Sequence, residues 1–350
     1  SISAGLAGCT IPGLQQSEHE RYPFTPRPFT EVEGDLSPTA VFGGADHPDS
    51  FGSAVATTGD TVFVGAPRAD TGGKTAEEQY VYQLIDGEWS PAGTITASTE
   101  QNAEFGSQIV VTDDTALVKS YSQKTPLYEL AQGDDRVWTQ TTSRISGPDE
   151  LSIAEIALTE DTAIFAGRET VHFAEKAAGQ WRVQQTLEID TGERLIASLA
   201  ATGTTAVLGL RPKGGLTKIG RAYLFDRVNG TWEQTAMFDG GYGFGNSVAV
   251  SGDTAAILDS SNHTVYVLRR ADGQWRRHDR FTWTKGELPL SGPSVVALDA
   301  GTILVGSRGR EAPGEFHVLE IDDGSDSRRG TTQPPPDGGE LFGIAVGLVE

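Results

Sequence analysis

From residue 50 onward, the chain alternates small and branched apolar residues, then turns at a short polar sequence, and then continues into a second apolar run. The first example is Phe51–Ala56, followed by the turn Gly59-Asp60-Thr61 and by the run Val62–Pro67. Apolar residues at alternate positions on both sides of a tight Gly-containing turn are typical of a β-hairpin. This pattern therefore predicts strands rather than helices.

The hairpin pattern recurs along the chain. The last residue of its turn falls at positions 61, 115, 162, 205, 254 and 302, with spacings of 54, 47, 43, 49 and 48 residues. Each unit continues with a third apolar run, and the first five units have a fourth run that contains a tryptophan. A repeat of this length with four predicted strands is typical of one blade of a β-propeller.

Five of the six tryptophans occupy one position of the repeat, near the start of the fourth strand. They are Trp89, Trp138, Trp181, Trp232 and Trp275. Large aromatic side chains at a repeated position favour packing between neighbouring blades over a ligand-binding role.

The repeat resembles the FG-GAP repeat, which forms the head of integrin α-subunits and occurs in many exported bacterial and archaeal proteins. The resemblance covers roughly residues 30–350. Its Phe-Gly pair is found at Phe51-Gly52, Phe105-Gly106, Phe244-Gly245 and Phe342-Gly343, and Gly-Ala-Pro is found at Gly65-Ala66-Pro67. The resemblance implies an all-β propeller, usually of seven blades, which meets ligands on a face or at the rim.

The number of blades is left open between six and seven. Six units are complete in their first three strands, and a partial seventh begins at Phe342 and ends with the chain at Glu350. The sixth unit lacks a tryptophan in Ser325–Gly339, so we expect its own outer strand to be lost. A strand near Phe29–Leu36 either completes the sixth blade or belongs to an incomplete seventh. We accordingly divide the chain into an arm at 1–30 and a propeller at 31–350.

The charge of the chain limits its partners. The net charge is −21, and only 7 of the 27 basic residues are lysines. So acidic a chain is a poor nucleic-acid binder, because phosphate binding needs a basic surface. An acid-rich, lysine-poor surface favours a halophilic, archaeal protein, since it keeps a protein soluble where salt screens charge. The alternative is an ordinary acidic extracellular protein.

The first nine residues suggest export. Met237 is the only methionine, so we expect that a leader has been removed, and Leu6-Ala7-Gly8-Cys9 resembles the lipobox of lipoproteins. This resemblance implies a lipid on Cys9 as the only link to a membrane. The alternative is an exported chain with a free or intermolecularly bonded Cys9. Either interpretation predicts an extracellular, cell-surface location.

The sequence offers little recognisable chemistry. It has no nucleophile elbow or phosphate-binding loop, its six histidines are scattered and share no position of the repeat, and no cofactor is predicted. Calcium is the one ion considered, with Asp322, Asp323 and Asp326 as weak ligand candidates, although these residues also fit a solvated acidic turn. The aspartates of the repeated turns are interpreted as structural groups that form side-chain to backbone hydrogen bonds, because catalytic groups are normally singular.

These observations predict a non-enzymatic cell-surface propeller that binds a protein or glycan ligand or serves as a structural component. The alternative is a filament of identical subunits joined by exchange of terminal strands. The apolar residues expected to take part in that assembly are Ile2, Leu6, Ile11, Phe342, Ile344 and Val346. A hydrolase with a pocket on the propeller axis is the third possibility.

Overall fold

A computed structural model describes most of the repeat region. The described residues are 30–31, 51–67, 78–96, 105–120, 127–141, 145–146, 153–214, 219–283, 293–307, 315–321 and 328–332. They form 26 strands. No helix in these ranges could span a membrane.

The strands form six sheets, which are the blades of a propeller. A two-residue strand β1 (Thr30–Glu31) precedes them. Blade 1 contains β2 (Ala54–Thr58), β3 (Thr61–Ala66), β4 (Glu78–Ile85) and β5 (Glu88–Thr96). Blade 2 contains β6 (Gln108–Val111), β7 (Thr115–Lys119), β8 (Leu127–Gln132) and β9 (Trp138–Gln140). Blade 3 contains β10 (Ile145–Ser146), β11 (Glu155–Leu158), β12 (Thr162–Gly167), β13 (Thr170–Ala177) and β14 (Gln180–Glu188).

The second half of the ring follows the same order. Blade 4 contains β15 (Arg194–Thr202), β16 (Thr205–Pro212), β17 (Arg221–Val228) and β18 (Thr231–Asp239). Blade 5 contains β19 (Phe244–Ser251), β20 (Thr254–Asp259), β21 (Thr264–Ala271) and β22 (Gln274–Thr282). Blade 6 contains β23 (Pro293–Asp299), β24 (Thr302–Ser307), β25 (Glu315–Glu320) and β26 (Arg328–Thr332).

Each blade is an antiparallel meander in which four strands pair in chain order. The first strand is the inner one, next to the propeller axis, and the fourth is the outer one. The turns between third and fourth strands explain the sharp reversal there. At Asp86-Gly87, Asn229-Gly230 and Asp272-Gly273 both residues have positive φ, between 52° and 84°. Two-residue turns with this geometry match the twist of the flanking strands and therefore fix their register.

The hydrophobic core lies between the blades. Five of the six clusters of buried apolar residues combine side chains of two consecutive blades. The repeated tryptophan of one blade packs on the preceding blade: the ring centres of Phe63 and Trp138 are 4.9 Å apart, and those of Phe173 and Trp232 are 4.7 Å apart. The predicted packing between blades is confirmed for the tryptophans of blades 2 to 5, whereas Trp89 packs against residues of its own blade.

One buried carboxylate joins blades 4 and 5. Asp226 on β17 accepts hydrogen bonds from the Thr205 hydroxyl at 2.8 Å and from the Trp275 indole N–H at 2.9 Å. The guanidinium of Arg270 forms an ion pair with the same carboxylate at 2.5 Å. The Thr235 hydroxyl also donates to this carboxylate, so four donors from two blades meet at Asp226.

The predicted all-β propeller of four-stranded blades is confirmed, and the described residues form six blades, with one correction at blade 6. That blade keeps an outer strand of its own, β26, and β1 adds to it in parallel as a fifth strand. Blade 3 shows the same feature, since β10 pairs in parallel with β14. The predicted partial seventh repeat at Phe342–Glu350 lies outside the described residues.

Candidate active site

The inner strands carry one repeated position that links the blades. It lies seven residues before the last turn residue, and its occupants are Ala54, Gln108, Glu155, Ser198, Ser247 and Val295. The Ser198 hydroxyl oxygen accepts a hydrogen bond from the Val248 N–H of the next blade at 3.1 Å, and Ser247 accepts one from Val296 at 3.1 Å. Gln108 does the same through its amide oxygen, which accepts from the Ile156 N–H at 3.2 Å. The position is therefore mainly structural.

Glu155 is the exception at this position, because it is the one ionisable residue among the six. It begins β11, and its carboxylate accepts a hydrogen bond from the Gln108 side-chain amide at 2.9 Å. The same amide group also donates to the Ile156 carbonyl at 3.1 Å. Gln108 thus holds the carboxylate at the inner edge of the interface between blades 2 and 3.

Lys119 is the second unusual residue at this interface. It ends β7, pairs with Gln108 across the sheet and is only 5% exposed. Other blades have glycine, alanine or leucine at this place. At Gly65 and Gly209 a Cβ atom would lie 2.1 Å from a carbonyl oxygen of the next blade, so the blades approach closely there. Lys119 instead extends its side chain across the interface and donates to the Ala154 carbonyl.

Burial changes the proton affinity of both groups. It raises the pKa of Glu155 to about 7, although the Lys119 charge and the Gln108 hydrogen bond oppose this change. Burial also lowers the pKa of Lys119, and the Glu155 charge opposes that shift. A carboxyl group with a pKa near neutrality can take up and release a proton at physiological pH. We call Gln108, Lys119 and Glu155 the axial cluster, because they lie on the inner strand pairs of adjacent blades.

None of the site residues predicted from the sequence lies in the described part of the chain. This applies to the lipid-anchor candidate, the calcium candidates and the assembly candidates alike: Cys9, Asp322, Asp323, Asp326, Ile2, Leu6, Ile11, Phe342, Ile344 and Val346. Within the described ranges, no three His, Cys, Asp or Glu side chains are grouped so that they could hold a metal ion.

The prediction that the histidines occupy no common repeat position is wrong. His172 and His317 lie opposite Phe165 and Val305, at the same place on the third strands of blades 3 and 6. Both are buried. The two His172 ring nitrogens are within hydrogen-bond distance of the Thr170 and Thr186 hydroxyls, at 3.0 and 2.9 Å, and burial lowers the pKa of this ring.

The structural interpretation of the turn aspartates is confirmed, with a different partner from the one expected. Asp60, Asp114 and Asp161 accept hydrogen bonds from the hydroxyl of the threonine that follows each of them, at 2.8 to 3.0 Å. Side-chain hydroxyls, rather than backbone N–H groups, are the donors in these bonds. The carboxylates of Asp60 and Asp161 also pair with arginines of the next blade, Arg136 and Arg227.

Sequence reasoning missed the axial cluster. A usable signal was present, because aligning the six units on their turns places Glu155 where other units have Ser, Gln, Ala or Val. The same alignment places Lys119 at the glycine of the Gly-Ala-Pro motif. A charged residue at a repeat position where the other units have uncharged residues is unique to its unit, and unique residues are the candidates for catalysis.

The chain resembles proteins of known structure and one repeat family. Residues 43–82 match the family model of the FG-GAP repeat. No curated protein matches the chain. A solved protein from Lactobacillus plantarum is 16% identical, with a TM-score of 0.54 and coverage of 84% of this chain and 86% of its own.

Two further solved propellers have names that state an activity. The periplasmic gluconolactonase of Pseudomonas aeruginosa is 14% identical, with a TM-score of 0.55 and coverage of 79% of this chain and 84% of its own. A putative 6-phosphogluconolactonase from Bacteroides uniformis is 11% identical, with a TM-score of 0.56 and coverage of 80% and 83%, respectively. At this identity the likeness shows the fold.

This comparison overturns the predicted function. The prediction of a non-enzymatic surface protein, with a filament subunit as its alternative, is wrong, because solved propellers similar to this chain include proteins named as lactone hydrolases. The inference failed because it took the absence of familiar catalytic motifs as evidence against an enzyme. The six blades make the chain a β-propeller, and the repeat matched at residues 43–82 supports an FG-GAP type of propeller.

Proposed function

We propose that this protein is a hydrolase that opens lactones of sugar acids at the axial cluster. The observation that carries the proposal is the partly buried carboxyl group of Glu155, with a pKa of about 7, beside the buried ammonium group of Lys119. The substrate class is suggested by the gluconolactonase and 6-phosphogluconolactonase propellers that share the fold.

The chemistry of lactone opening fits the two groups. Water must lose a proton as it attacks the ester carbonyl, and ionised Glu155 is a suitable general base. The carbonyl oxygen gains negative charge, which the Lys119 ammonium group would stabilise. The bond from the carbonyl carbon to the ring oxygen then breaks, and protonated Glu155 returns the proton to that oxygen. The product is an open-chain hydroxy acid.

Gln108 is a positioning residue in this scheme. Its amide donates to Glu155 and to the Ile156 carbonyl, and its amide oxygen accepts from the Ile156 N–H. These three bonds fix the carboxylate relative to the inner strand of blade 3. A group held in this way loses little freedom when substrate binds.

The proposal predicts a bell-shaped pH profile. Activity rises as pH increases through about 7, because Glu155 must be ionised to act as a base. It falls again at alkaline pH, at a value below the ordinary lysine pKa, because Lys119 must stay protonated. The measurement is proton release from glucono-lactone in a pH-stat, with spontaneous hydrolysis subtracted.

Substitution of the cluster supplies the decisive test. We expect Glu155→Gln to lower kcat/KM by about 10²–10⁴-fold and Lys119→Met by about 10²–10³-fold. Glu233→Gln is the matched control, since Glu233 is an exposed carboxylate on the outer strand of blade 4. Hydrolysis no faster than in buffer, or equal rates for Glu155→Gln and the wild type, would refute the proposal.

The setting of this activity is also a proposal. The lipobox-like residues that end at Cys9 support a location outside the cytoplasm with a lipid anchor. The net charge of −21 and the scarcity of lysine support activity at high salt. Labelling cells with a radioactive fatty acid tests the anchor, since label should enter the wild type and not Cys9→Ser.

A further inference from the structure

Positive charge is concentrated on one blade of this acidic protein. Residues 269–280, on the last two strands of blade 5, contain five of the 20 arginines together with His278, and only two aspartates. Arg276, Arg277, His278 and Arg280 are all exposed on β22. Arg277 already contacts the blade, because its guanidinium lies 5.2 Å from the Tyr266 ring centre and donates to the Asp239 carbonyl. The outer strand of blade 5 is therefore a basic strip on an otherwise acidic molecule.

In blades 3 and 4, the outward backbone groups of the outer strand are hydrogen-bonded at the place that corresponds to this strip. In blade 3 the outer-strand residue Trp181 pairs with Ile145 of the added strand β10. At the outer strand of blade 4, the side chain of Gln185 from blade 3 occupies the position that an added strand would take. Its amide N–H donates to the Trp232 carbonyl at 2.6 Å, and its amide oxygen accepts from the Trp232 N–H at 2.9 Å. The outward backbone groups of both tryptophans are thus satisfied.

Trp275 holds the same place on β22. It lies opposite Arg270, as Trp232 lies opposite Arg227. The residue of blade 4 that corresponds to Gln185 is Ala236, whose side chain has no amide group to bond with Trp275. Among the described residues, none forms a hydrogen bond with the outward backbone groups of Trp275, and no strand is added to β22.

We propose that the outer edge of blade 5 binds an extended acidic peptide segment of a partner protein. The segment adds to β22 as a fifth strand and pairs with the outward backbone groups of Trp275, as β10 pairs beside Trp181. Carboxylates of the peptide meet the arginines of the strip. Arg276 and Arg277 follow Trp275 directly, and the bulge of β22 at His278 places Arg280, opposite Tyr266, on the other face of the sheet from Arg276, opposite Arg269. Arginines therefore lie on both sides of the edge to which the strand would add.

A peptide is favoured over other polyanions because the site combines charge with unpaired backbone groups. A polysaccharide or a nucleic acid would use the arginines and leave the edge of β22 unused. A peptide uses both features, and its main chain supplies the donors and acceptors that the edge needs. This partner site is separate from the axial cluster and does not depend on the proposed hydrolase activity.

Fluorescence anisotropy with two labelled peptides tests the proposal on the full-length protein. The first probe alternates Glu with Thr, and the second has the same charge with Pro in place of Thr, so that it lacks half of the backbone N–H groups. We expect the Glu-Thr peptide to bind with a Kd at least about tenfold lower than that of the Glu-Pro peptide, since the Glu-Pro peptide cannot form half of the backbone hydrogen bonds to the edge. Equal binding of the two peptides, or displacement of the first by an equally charged polysaccharide at the same concentration, would overturn the proposal.

Matched arginine variants complete the test. The double substitution Arg276→Gln with Arg280→Gln is expected to raise the Kd about tenfold or more, because hydrogen bonds between charged groups are stronger than those between neutral groups. Arg182→Gln is the control, because Arg182 follows Trp181 as Arg276 follows Trp275 but lies on the edge that β10 already occupies. An equal loss in the control, or no binding of the Glu-Thr peptide to the wild type at low salt, would contradict the inference.

Discussion

Replacing Glu155 by glutamine should make the protein more stable while removing its proposed activity. Burial raises the pKa of Glu155 from an ordinary value of 4.5 to about 7. Between these two values the folded chain holds a proton that the unfolded chain has released, so stability falls as pH rises through this window. At one pKa unit per about 1.4 kcal/mol, the ionised side chain costs the folded state about 3 kcal/mol at alkaline pH.

Glutamine has the same shape and carries no charge, so it avoids this cost. We expect the free energy of unfolding of Glu155→Gln to match the wild type at pH 4.5 and to exceed it by about 1–3 kcal/mol at pH 8.5, allowing for partial solvation of the carboxylate. The assay is urea unfolding followed by the fluorescence of the six tryptophans. A structural role for Glu155 predicts the opposite sign, so a less stable variant at pH 8.5 would refute this reasoning. An unchanged pH dependence of stability would refute it as well.

Two further substitutions examine the contacts between blades. Gly209→Ala should lower the free energy of unfolding by about 1–3 kcal/mol, because the new methyl group would lie 2.1 Å from the Gly245 carbonyl oxygen; a normal midpoint in thermal unfolding would contradict this. Trp275→Phe should cost about 1.5–3 kcal/mol more than Trp232→Phe, because the Trp275 indole donates to buried Asp226 while the Trp232 indole N–H has no partner among the described residues. Urea unfolding of the two variants side by side measures the difference, and equal losses would show that the hydrogen bond to Asp226 contributes nothing.

The repeat made the fold predictable. Turns such as Gly59-Asp60-Thr61 mark the first hairpin of each unit, and the tryptophan marks the outer strand. Blade 6 escaped this reasoning because β26 reads Arg-Arg-Gly-Thr-Thr and contains no tryptophan. The strand β1 lies within the strand predicted near Phe29–Leu36 and adds to blade 6. The two-residue strand β10 gave no signal, because pairing of so few residues depends on the edge they meet and not on their own sequence.

The axial cluster was harder to predict, for a physical reason. Lys119 and Glu155 belong to different units and lie 36 residues apart in the chain, and neither is unusual as a residue type. What distinguishes them is burial on facing strands, which only the arrangement of blades 2 and 3 determines. The shared position of His172 and His317 was hidden in a similar way, because the loops between second and third strands differ in length from blade to blade.

The placement of the tryptophans has a consequence for how the molecule holds together. Each shared cluster is completed by a side chain that the next unit supplies, so a single unit cut from the ring would expose half of two clusters. The stability of the ring therefore depends on the interfaces between blades, and neighbouring blades must fold together, as in other repeat proteins whose units contact only their nearest neighbours. Such a ring tolerates unusual residues at one interface between blades, such as the lysine and the glutamate between blades 2 and 3, as long as the adjoining interfaces stay intact.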